Sequence, residues 1–549
     1  MHIVRLLSTG ARTGTRRILL VTCLAGLANA AVLGMINQAA ERTALDQPIG
    51  GDVLLLYICL SVFFFLADRA SLREANALVQ HKLEALRQRV VGKIRRVDLR
   101  TLETLGHGEI FATIAQEINH LSQTLPLLVS AAQSAFLLVF CLLYIATLSV
   151  WAFVVVGGFT ALGLGLFWWR RRALDHALAR VHAQEAEMLD SLSHFTLGFQ
   201  EIRLNADKND ALHARFAEVV GDLRRQVVGV GGKWVVLLQF SNAFLYALVG
   251  AVIFILPLFF HGYTDVIYKI TAAAIFCVGP VTAITAAAPL YAKADLGLGH
   301  VENLERRLSR GQLAEAGVVE RSRFAGFPTI AARGLTFPSR DPDSAEALFT
   351  AGPFDLELRR GETVFLTGGN GSGKSTAMKL LTGLYPPESG VIAVDGQTIG
   401  EAERQDYREL FSAIFTDFHL FDRLHGLGAV DPERVIRLLA EMELADKVGF
   451  TDGAFTTQAL STGQRKRLAL VVALLDDRDI LVFDEWAADQ DAHFRHRFYT
   501  EWLPRLKQDG KTVLAVTHDD RYWSHCDGGG LRAWPSPPSS PPRRAASCV

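Results

Sequence analysis

The sequence predicts a membrane-embedded all-α domain followed by an α/β domain. Half of the 549 residues are apolar and the mean hydropathy is +0.21, which is high for a soluble protein. The apolar residues are concentrated before residue 300, in runs of about 20. After Val318 short apolar segments alternate with helical ones, with turn signals at Pro386-Pro387 and Asp395-Gly396. A chain of this length is expected to hold about two or three domains.

Six apolar runs are long enough, or nearly so, to cross a hydrocarbon core of about 30 Å. The third and fourth are almost continuous, so we expect only a tight turn between Leu148 and Trp151 to divide them. The sequence therefore predicts six membrane-spanning helices. They lie near 18–38, 50–67, 126–148, 150–169, 236–260 and 267–290.

Basic residues predict the orientation, because cytoplasmic connections of membrane proteins carry an excess of Lys and Arg. Arginines precede the first run and follow the second and fourth. The connections at 39–49 and 261–266 contain a single Lys or Arg between them, Arg42. The N-terminus and the long segments 68–125 and 170–235 are therefore predicted to be cytoplasmic. Both segments keep apolar residues at helical spacing, so we expect them to extend the membrane helices and contact a soluble domain rather than end as solvated hairpins.

Charge argues against two classes of function. The chain has 56 Lys and Arg against 57 Asp and Glu, whereas nucleic-acid-binding proteins usually carry a basic excess, so we expect no nucleic acid partner. The apolar runs have no ionisable residue in their middle, which disfavours a proton pathway. Their polar side chains either line a cargo cavity or bond neighbouring helices, and we favour the second interpretation. The residues concerned are Asn29, Asn37, Ser241 and Asn242.

A glycine-rich loop stands between a predicted strand, Thr363–Thr367, and a predicted helix, Met378–Leu384. This order of strand, loop and helix is the context in which a P-loop binds nucleotide phosphates. The loop N–H groups and the helix N-terminus surround phosphate oxygens, Lys374 reaches the outer phosphates, and Ser375 offers a hydroxyl to Mg²⁺. The predicted nucleotide-binding residues are Gly368, Gly369, Asn370, Gly371, Ser372, Gly373, Lys374, Ser375 and Thr376.

Two further apolar strands end in residues suited to hydrolysis. Ile480–Phe483 leads into Asp484 and Glu485, at the carboxyl end of a strand, where α/β sites lie. Asp484 is the predicted Mg²⁺ ligand and Glu485 the predicted general base, because phosphoryl transfer needs both a metal and a positioned nucleophile. Thr512–Val516 leads into His518, a predicted donor to the γ-phosphate or water-orienting group. Beside a P-loop these roles are favoured over simple capping and structural hydrogen bonding.

A second predicted phosphate-binding segment, Leu460–Gln464, precedes an apolar helix. The serine hydroxyl and the free N–H groups at a helix start form an anion site. The chain's own P-loop already surrounds its phosphates, so this second site implies a second nucleotide-binding domain. Its predicted ATP-binding residues are Ser461, Gly463 and Gln464.

These motifs resemble those of the ATP-binding cassette (ABC) transporter family, with Leu460–Gln464 where the family signature stands. Six spans followed by one cassette look like an exporter half-transporter over essentially the whole chain. The resemblance implies a homodimer in which each of two ATP molecules lies between one subunit's P-loop and the other's signature segment. It also implies ATP and Mg²⁺ as cofactors, Lys374 beside Glu485 and His518 in catalysis, and Asp491 at the dimer seam.

The residues from Asp484 to Asp491 are similar to the corresponding segment in the cyclic-peptide exporter branch of the family. This branch includes pyoverdine-type siderophore exporters. The P-loop, Phe415–Asp422 and His518–Asp520 carry the same resemblance. It implies export of a cyclic peptide, siderophore or related small peptide metabolite across the bacterial inner membrane, with the ATPase domain cytoplasmic. No residue is assigned to the substrate. Two alternatives stay open from the sequence: a lipid or glycolipid flippase, and an ATP-gated channel or regulatory membrane protein.

Two positions depart from the family pattern within the ATPase domain. Thr416 stands where most members have a glutamine that links Mg²⁺ and the attacking water to the membrane domain. Threonine is shorter, so metal contact at Thr416 is doubtful, while Asp417 beside it offers a carboxylate. The aromatic residue that stacks on adenine in many members aligns near Ser339, which leaves Phe337 as a candidate substitute.

The end of the chain is the third departure. Members of the family continue after the histidine with a strand and a helix, whereas here the sequence becomes rich in Gly, Pro and Ser, a composition that predicts disorder. We expect a shifted reading frame or altered terminus after about Tyr522. The predicted domains are a six-span domain with cytoplasmic helical extensions at 1–299, a linker at 300–317, an ATPase domain at 318–525 and a disordered tail at 526–549.

Overall fold

The computed structural model describes residues 12–44, 48, 50–255, 267–313, 319–340, 347–369, 371–428, 430–527 and 531–533. The chain divides into two compact units. The membrane unit comprises Met1–Gly92 and His107–Arg306, and the ATPase unit comprises Lys93–Gly106 and Arg307–Val549. The segment Lys93–Gly106, from the middle of the first long connection, therefore clusters with the ATPase domain.

The membrane unit is all-α, as the sequence predicts. Within the described ranges six helices are long and apolar enough to cross a membrane: Leu20–Ala40, Gly51–Ile94, Gly108–Leu148, Val150–Trp169, Ala206–Ile255 and Lys269–Arg310. The predicted run at 236–260 continues into residues 256–260, which lie outside the described residues, as do the connection at 261–266 and part of that at 39–49.

Several membrane-spanning helices are longer than the membrane is thick. The helices up to residue 310 are α1 (Arg12–Ala44), α2 (Gly51–Ile94), α3 (Leu99–Leu105), α4 (His107–Ala112), α5 (Ile118–Leu148), α6 (Val150–Leu197), α7 (Phe199–Arg203), α8 (Ala206–Gly250), α9 (Ile267–Phe276) and α10 (Val278–Arg310). Short π-helical turns occupy Thr113–Glu117 and Ala251–Ile255. A helix rises about 1.5 Å per residue, so the 44, 48 and 45 residues of α2, α6 and α8 exceed a bilayer core, as predicted for the two long connections.

One residue divides the third and fourth spans. Ser149 has extended backbone angles, φ −162° and ψ 126°, between α5 and α6. Its hydroxyl oxygen accepts a hydrogen bond of 3.2 Å from the N–H of Ala152 and so caps α6. The tight turn predicted between Leu148 and Trp151 therefore has a local chemical cause.

Polar side chains within the membrane unit bond one helix to another. Asn37 is 4 % exposed and donates 3.4 Å hydrogen bonds to the Tyr144 hydroxyl and to the Lys269 carbonyl. The hydroxyls of Thr22 and Ser71 lie 2.8 Å apart and are buried. For Asn37 these contacts favour helix-to-helix bonding over cavity lining. The side chain of Ser241 lies outside the described residues.

The ATPase unit is α/β. Its strands are β1 (Thr329–Arg340), β2 (Ala347–Arg359), β3 (Thr363–Thr367), β4 (Ser389–Val394), β5 (Gln397–Thr398), β6 (Phe411–Ile414), β7 (Phe450–Thr451), β8 (Ala454–Phe455), β9 (Ile480–Asp484), β10 (Thr512–Val516) and β11 (Leu531–Ala533). Its helices are α11 (Lys374–Leu381), α12 (Arg404–Arg408), α13 (Pro432–Glu441), α14 (Thr462–Asp476), α15 (Ala492–Arg497) and α16 (Leu503–Gln508), with short irregular helical turns at Trp486–Asp489, Phe498–Trp502 and Asp520–His525.

The central sheet of this unit is parallel, in the order β11-β3-β10-β9-β6. An antiparallel sheet has the order β2-β1-β4-β5, and β7 pairs with β8. Strand β9 is buried on both faces: Leu481 and Phe483 belong to one core cluster, and Ile480 and Val482 to another. Burying each such side chain stabilises the fold by about 1.5–3 kcal/mol. Because both faces of β9 are buried, the residue at the end of this strand, Asp484, is held in a fixed position.

The chain re-enters the central sheet within the segment predicted to be disordered. Leu531–Ala533 forms β11, which pairs in parallel with β3, Leu531 opposite Phe365. The domain boundary predicted at residue 525 therefore separates this short strand from its sheet. The remainder of the predicted tail, 534–549, lies outside the described residues, as do 314–317 of the predicted linker.

Candidate ATP-hydrolysis site

The glycine-rich loop connects β3 to α11, as the sequence predicts. Gly371 and Gly373 have φ of +75° and +91°, a left-handed conformation that other residues rarely adopt. Gly373 immediately precedes α11, so the loop ends at a helix N-terminus, whose free N–H groups attract anions. Ser375 and Thr376 lie in the first turn of that helix. Asn370 lies outside the described residues.

The loop holds its lysine inward. Lys374 is 6 % exposed and donates hydrogen bonds of 3.1 Å to the Gly368 carbonyl and 2.9 Å to the Gly369 carbonyl. Phosphate oxygens accept stronger, charge-assisted hydrogen bonds than neutral carbonyls do. The Ser372 hydroxyl is buried and has no hydrogen-bond partner within the described ranges. The loop therefore combines a retained cation with an unsatisfied polar atom that a ligand oxygen can satisfy.

Asp484 stands at the end of β9 and is 2 % exposed. The hydroxyls of Ser375 and Thr416 lie beside Asp484, and the Thr416 hydroxyl donates a hydrogen bond of 3.5 Å to the Asp484 backbone carbonyl. The Oδ1 atom of Asp484 is buried without a partner among the described residues. Burial raises the pKa of Asp484 and the charge of Glu485 adds to this, whereas the two hydroxyls oppose it. A buried acid with a free oxygen beside a hydroxyl fits Mg²⁺, which prefers hard oxygen ligands.

The raised pKa predicts how Asp484→Asn changes stability. In the folded chain the pKa lies above its unfolded value, so the ionised form costs stability at neutral pH, and this cost disappears as pH falls through the raised pKa toward the ordinary carboxyl range. Without nucleotide or metal, Asp484→Asn should therefore unfold at a higher temperature than the parent at pH 7, with a difference that shrinks toward pH 4. Thermal unfolding followed by tryptophan fluorescence measures this.

Addition of Mg²⁺ and ATP should reverse the order of the two chains. At 100 times Kd a ligand stabilises the folded state by about 2.7 kcal/mol, and the Asn variant loses most of the Mg²⁺-dependent part. A variant that gains as much as the parent from Mg²⁺ would place the metal ligand elsewhere.

The predicted base and histidine meet at the ends of neighbouring strands. Strands β9 and β10 are parallel, with Asp484 opposite Val516, so the residues that follow them lie side by side. Glu485 Oε1 is 3.1 Å from His518 Nε2, and both side chains are about two-fifths exposed. They line a cavity of about 400 Å³. This places a carboxylate and an imidazole together where solvent, and hence an attacking water, can reach them.

Helix α14 begins with a complete capping box. The Ser461 hydroxyl oxygen accepts a hydrogen bond of 3.4 Å from the Gln464 N–H, and the Gln464 side-chain oxygen accepts one of 3.2 Å from the Ser461 N–H. Ser461 is exposed. A Cβ atom added at Gly463 would lie 2.7 Å from the Asp489 carbonyl oxygen. Glycine is thus required at 463 for close backbone approach.

The segment after Glu485 packs against α14. Gln490 donates a hydrogen bond of 3.1 Å to the Gly463 carbonyl and accepts one of 2.9 Å from Arg467 Nε. Asp491 caps α15 by accepting a hydrogen bond of 2.8 Å from the Phe494 N–H, and it pairs with Arg467. The Phe494 N–H, followed by Arg467, holds the pKa of Asp491 below its usual range. The predicted seam residue Asp491 is therefore ionised and half exposed beside the signature helix.

The expectation that Phe337 stacks on adenine is wrong in this structure. Phe337 is 6 % exposed, and its ring stacks on Tyr385 with centroids 4.4 Å apart and planes 4° apart. The guanidinium carbon of Arg100 lies 5.1 Å from the same ring centroid. The ring is therefore part of the protein core rather than a platform for a base. The side chain of Ser339 lies outside the described residues.

Sequence reasoning missed Lys466. This lysine is 1 % exposed on α14 and contacts the segment after Glu485. A signal was present, because helical spacing places position 466 on the same face as Leu470 and Ala473, which are buried. A charge on the apolar face of a helix needs a buried partner.

Comparison with known proteins identifies the class. A family profile described as ABC transporter matches residues 352–488. The ATP-binding protein SyrD of Pseudomonas syringae pv. syringae is 31 % identical over 545 residues, which cover 96 % of this chain and 94 % of that protein. The chain therefore belongs to the ABC transporter family. It is a multi-pass membrane protein that hydrolyses ATP to drive export.

Other relatives match in part or in fold. The macrolide export ATP-binding/permease protein MacB of Rhodopseudomonas palustris is 35 % identical over 211 residues, which cover 35 % of this chain and 31 % of that protein. A solved bacterial Atm1-family ABC exporter with ATP bound has a TM-score of 0.75 at 16 % identity, covering 96 % of this chain and 94 % of that one. The match to the Atm1-family exporter shows that the two proteins share a fold over both domains.

Proposed function

We propose that two copies of this chain form a homodimer that exports a cyclic peptide, siderophore or related peptide metabolite from the bacterial cytoplasm across the inner membrane. The proposal that the homodimer hydrolyses ATP is supported by the contact between Glu485 and His518. These residues follow adjacent strands of the sheet that leads into the P-loop. The gated-channel alternative is set aside because the family hydrolyses ATP in transport. The lipid flippase is kept as an outcome of the experiment below.

The homodimer is supported by the arrangement of phosphate-binding groups. The exposed N-terminus of α14 at Ser461 has hydroxyl and N–H groups suited to an anion. Lys374 and its loop already supply a complete phosphate site at a different helix of the same unit. The α14 terminus is therefore available to the nucleotide of a second copy. Asp491, held by Arg467 beside this helix, would then lie at the seam.

In the proposed reaction each residue has one task. Lys374 leaves its loop carbonyls to neutralise the outer phosphates, and Glu485 accepts a proton from the attacking water, while Ser375 and Asp484 would hold Mg²⁺. Bound Mg²⁺ would neutralise phosphate charge. His518 Nε2 lies within hydrogen-bond distance of Glu485, so it can orient that carboxylate or donate to the γ-phosphate.

A contact inside the ATPase unit supports transmission to the membrane helices. Glu103, in α3, accepts a hydrogen bond of 2.8 Å from Lys379 Nζ and a short one from the Tyr385 hydroxyl. Lys379 belongs to α11, the helix that begins at the P-loop, and it lies 3.9 Å from Asp417. The chain continues from α3 into helices α4 and α5. Movement of the P-loop helix on closure therefore has a direct route into the connection between the second and third spans.

The cargo proposal rests on the string from Asp484 to Asp491. Its unusual residues pack in specific ways: Trp486 is buried, and Gln490 bonds α14. These contacts give the string a structural role, and the cargo is inferred only from the resemblance of the string to the cyclic-peptide exporter branch. The orientation, with the ATPase domain in the cytoplasm, follows from the basic residues that flank the spans.

A reconstituted transport assay tests the proposal. The full chain is placed in proteoliposomes with the ATPase domain outward, and three fluorescent probes are compared: a cyclic siderophore peptide, its linear form, and a phospholipid. We expect ATP- and Mg²⁺-dependent uptake of the cyclic peptide, little uptake of the linear form, and none in Glu485→Gln vesicles. The solution mass of the purified chain should correspond to two copies.

Two results would change the assignment. ATP-driven movement of the phospholipid without peptide uptake would make the protein a flippase and overturn the peptide cargo. A single-copy mass that persists during ATP hydrolysis would overturn the homodimer.

A further inference from the structure

Lys466 lies at a junction between the signature helix and the catalytic turn. Its Nζ atom donates a hydrogen bond of 2.9 Å to the backbone carbonyl of Glu485 and lies 2.7 Å from the carboxylate of Asp489. The side chain is 2 % exposed, so the ammonium has exchanged water for these two acceptors. Truncation would leave the Asp489 carboxylate without its cation and the Glu485 carbonyl without this donor.

The contact is reciprocal. Trp486, the residue after Glu485, donates its indole N–H to the Lys466 carbonyl at 2.9 Å and is 1 % exposed. The indole packs against Phe498, with ring centroids 4.5 Å apart. Two hydrogen bonds therefore join α14 to the turn after β9: the Lys466 ammonium donates to the turn, and the Trp486 indole donates to the backbone of α14. The turn that follows β9 has little freedom to move apart from α14.

This turn needs such support because of its backbone conformation. Glu485 has φ +50° and ψ 35°, in the left-handed region that residues with a Cβ rarely occupy. Such conformations persist where surrounding contacts determine them, and they cluster at active sites. The hydrogen bond from Lys466 acts on the carbonyl of this same residue. The direction of the Glu485 side chain toward His518 thus depends on the position of α14.

We infer that Lys466 is a positioning residue that couples the signature helix to the catalytic base. Lys466 follows Ser461 by little more than one helical turn on α14. In the proposed homodimer the Ser461 end contacts the partner's nucleotide, whereas Glu485 acts on the nucleotide of its own P-loop. Lys466 therefore links the two ATP sites, so that Glu485 adopts its catalytic position when the partner's nucleotide holds α14. This inference rests on the proposed function of Glu485 and of the homodimer.

A purely structural ion pair would behave differently from a positioning residue. A structural pair affects the unfolding temperature and leaves turnover per folded molecule unchanged. A positioning residue affects kcat at constant ATP affinity, because small misplacements of a reacting group cost as much as about 100-fold in rate. The two roles are thus separable by measuring kcat, KM and stability on the same preparations.

The test compares four variants of the full chain: Lys466→Met, Lys466→Gln, Asp489→Asn and Lys511→Met. Methionine keeps the volume and removes the donor, whereas the glutamine amide retains a donor for the Glu485 carbonyl. Lys511 is the matched control, since its ammonium also contacts one carboxylate, Asp477 Oδ1 at 2.9 Å, and one backbone carbonyl, Asp477 O at 3.2 Å. ATPase rate, its dependence on ATP concentration, and thermal unfolding are measured for each.

We expect Lys466→Met to lower kcat between about 10- and 100-fold, with KM for ATP within about twofold and loss of cooperativity in ATP. Lys466→Gln should recover part of kcat, Asp489→Asn should lose less than Lys466→Met, and Lys511→Met should match the parent. Should Lys466→Met not fold, Lys466→Gln and Asp489→Asn decide the question: a kcat below that of Lys511→Met at an unchanged unfolding temperature supports the positioning role, and a parental kcat in both overturns it. Equal kcat in all folded variants, or losses in kcat that track unfolding temperature, would overturn the inference.

Glu485→Gln separates this outcome from failure of the proposed function. If Glu485→Gln is inactive while Lys466→Met turns over normally, only the positioning role of Lys466 fails. If Glu485→Gln retains full activity, the assignment of the base fails, and the inference about Lys466, which rests on that assignment, is overturned with it.

Discussion

Replacement of Glu485 by glutamine should abolish ATP turnover while leaving ATP bound. Glutamine has the shape of glutamate but cannot accept a proton from water, and a general base typically contributes about 10²–10⁴-fold in rate. The carboxylate lies 3.1 Å from His518 and follows the strand that delivers Asp484. Neither Lys374 nor its loop contacts depend on the side chain of Glu485. We therefore expect a fall in kcat of at least about 100-fold with unchanged nucleotide affinity.

The measurement is phosphate release by the purified full chain, with binding of a fluorescent ATP analogue measured on the same preparation. Glu441→Gln is the matched control, because this carboxylate pairs with Arg505 at 2.6 Å outside the candidate site. The control should retain the parental rate. Loss of nucleotide binding in Glu485→Gln would mean that the carboxylate supports the site structurally. Retention of turnover would identify another group as the base.

A second consequence concerns transport. ATP should remain trapped in Glu485→Gln, so the dimer should persist after addition of ATP and be detectable by its mass. Cargo uptake should stop in the same vesicles, because the reset that hydrolysis provides is missing. Continued multiple-turnover uptake by this variant would contradict the coupling of hydrolysis to export.

Much of this architecture could be predicted from local sequence pattern. The six spans follow from apolar length, and the strands before Asp484 and His518 follow from short apolar runs next to a P-loop. Even the division at Ser149 is local, since a serine that caps the next helix interrupts an otherwise continuous run. These features depend on residues close together in the chain, so a pattern is sufficient to find them.

Other features depend on contacts between distant residues and could not be predicted in the same way. Lys466 has the composition of an exposed helix position, yet the ends of β9 and α14 enclose it. Phe337 is an aromatic residue close in sequence to the expected base-stacking position at Ser339, yet Tyr385 covers its ring. The left-handed turn at Glu485 is unusual for glutamate, and its support comes from another helix. Such features need the three-dimensional arrangement.

The approach of two backbones at Gly463 gives the other large expected effect. A Cβ at this position would lie 2.7 Å from the Asp489 carbonyl oxygen, closer than real Cβ contacts, and 3.6 Å from Gln490 Oε1. Because the nearest atom is backbone, rotation of a side chain cannot relieve the clash. In Gly463→Ala either the start of α14 or the segment after Glu485 must move, and the Gln490 hydrogen bond to the Gly463 carbonyl is lost or lengthened.

Either movement changes the position of the phosphate-binding helix end relative to the turn that bears Glu485, so we expect Gly463→Ala to lower ATP turnover by about 100-fold or more. Nucleotide affinity of the P-loop should persist, because Lys374 and its loop are on another helix. Gly221→Ala is the control, since a Cβ there meets no atom within 4 Å and α8 accepts alanine readily. Parental turnover in Gly463→Ala would show that the two backbones can separate without cost to catalysis, and that close packing of the signature helix on this segment is dispensable.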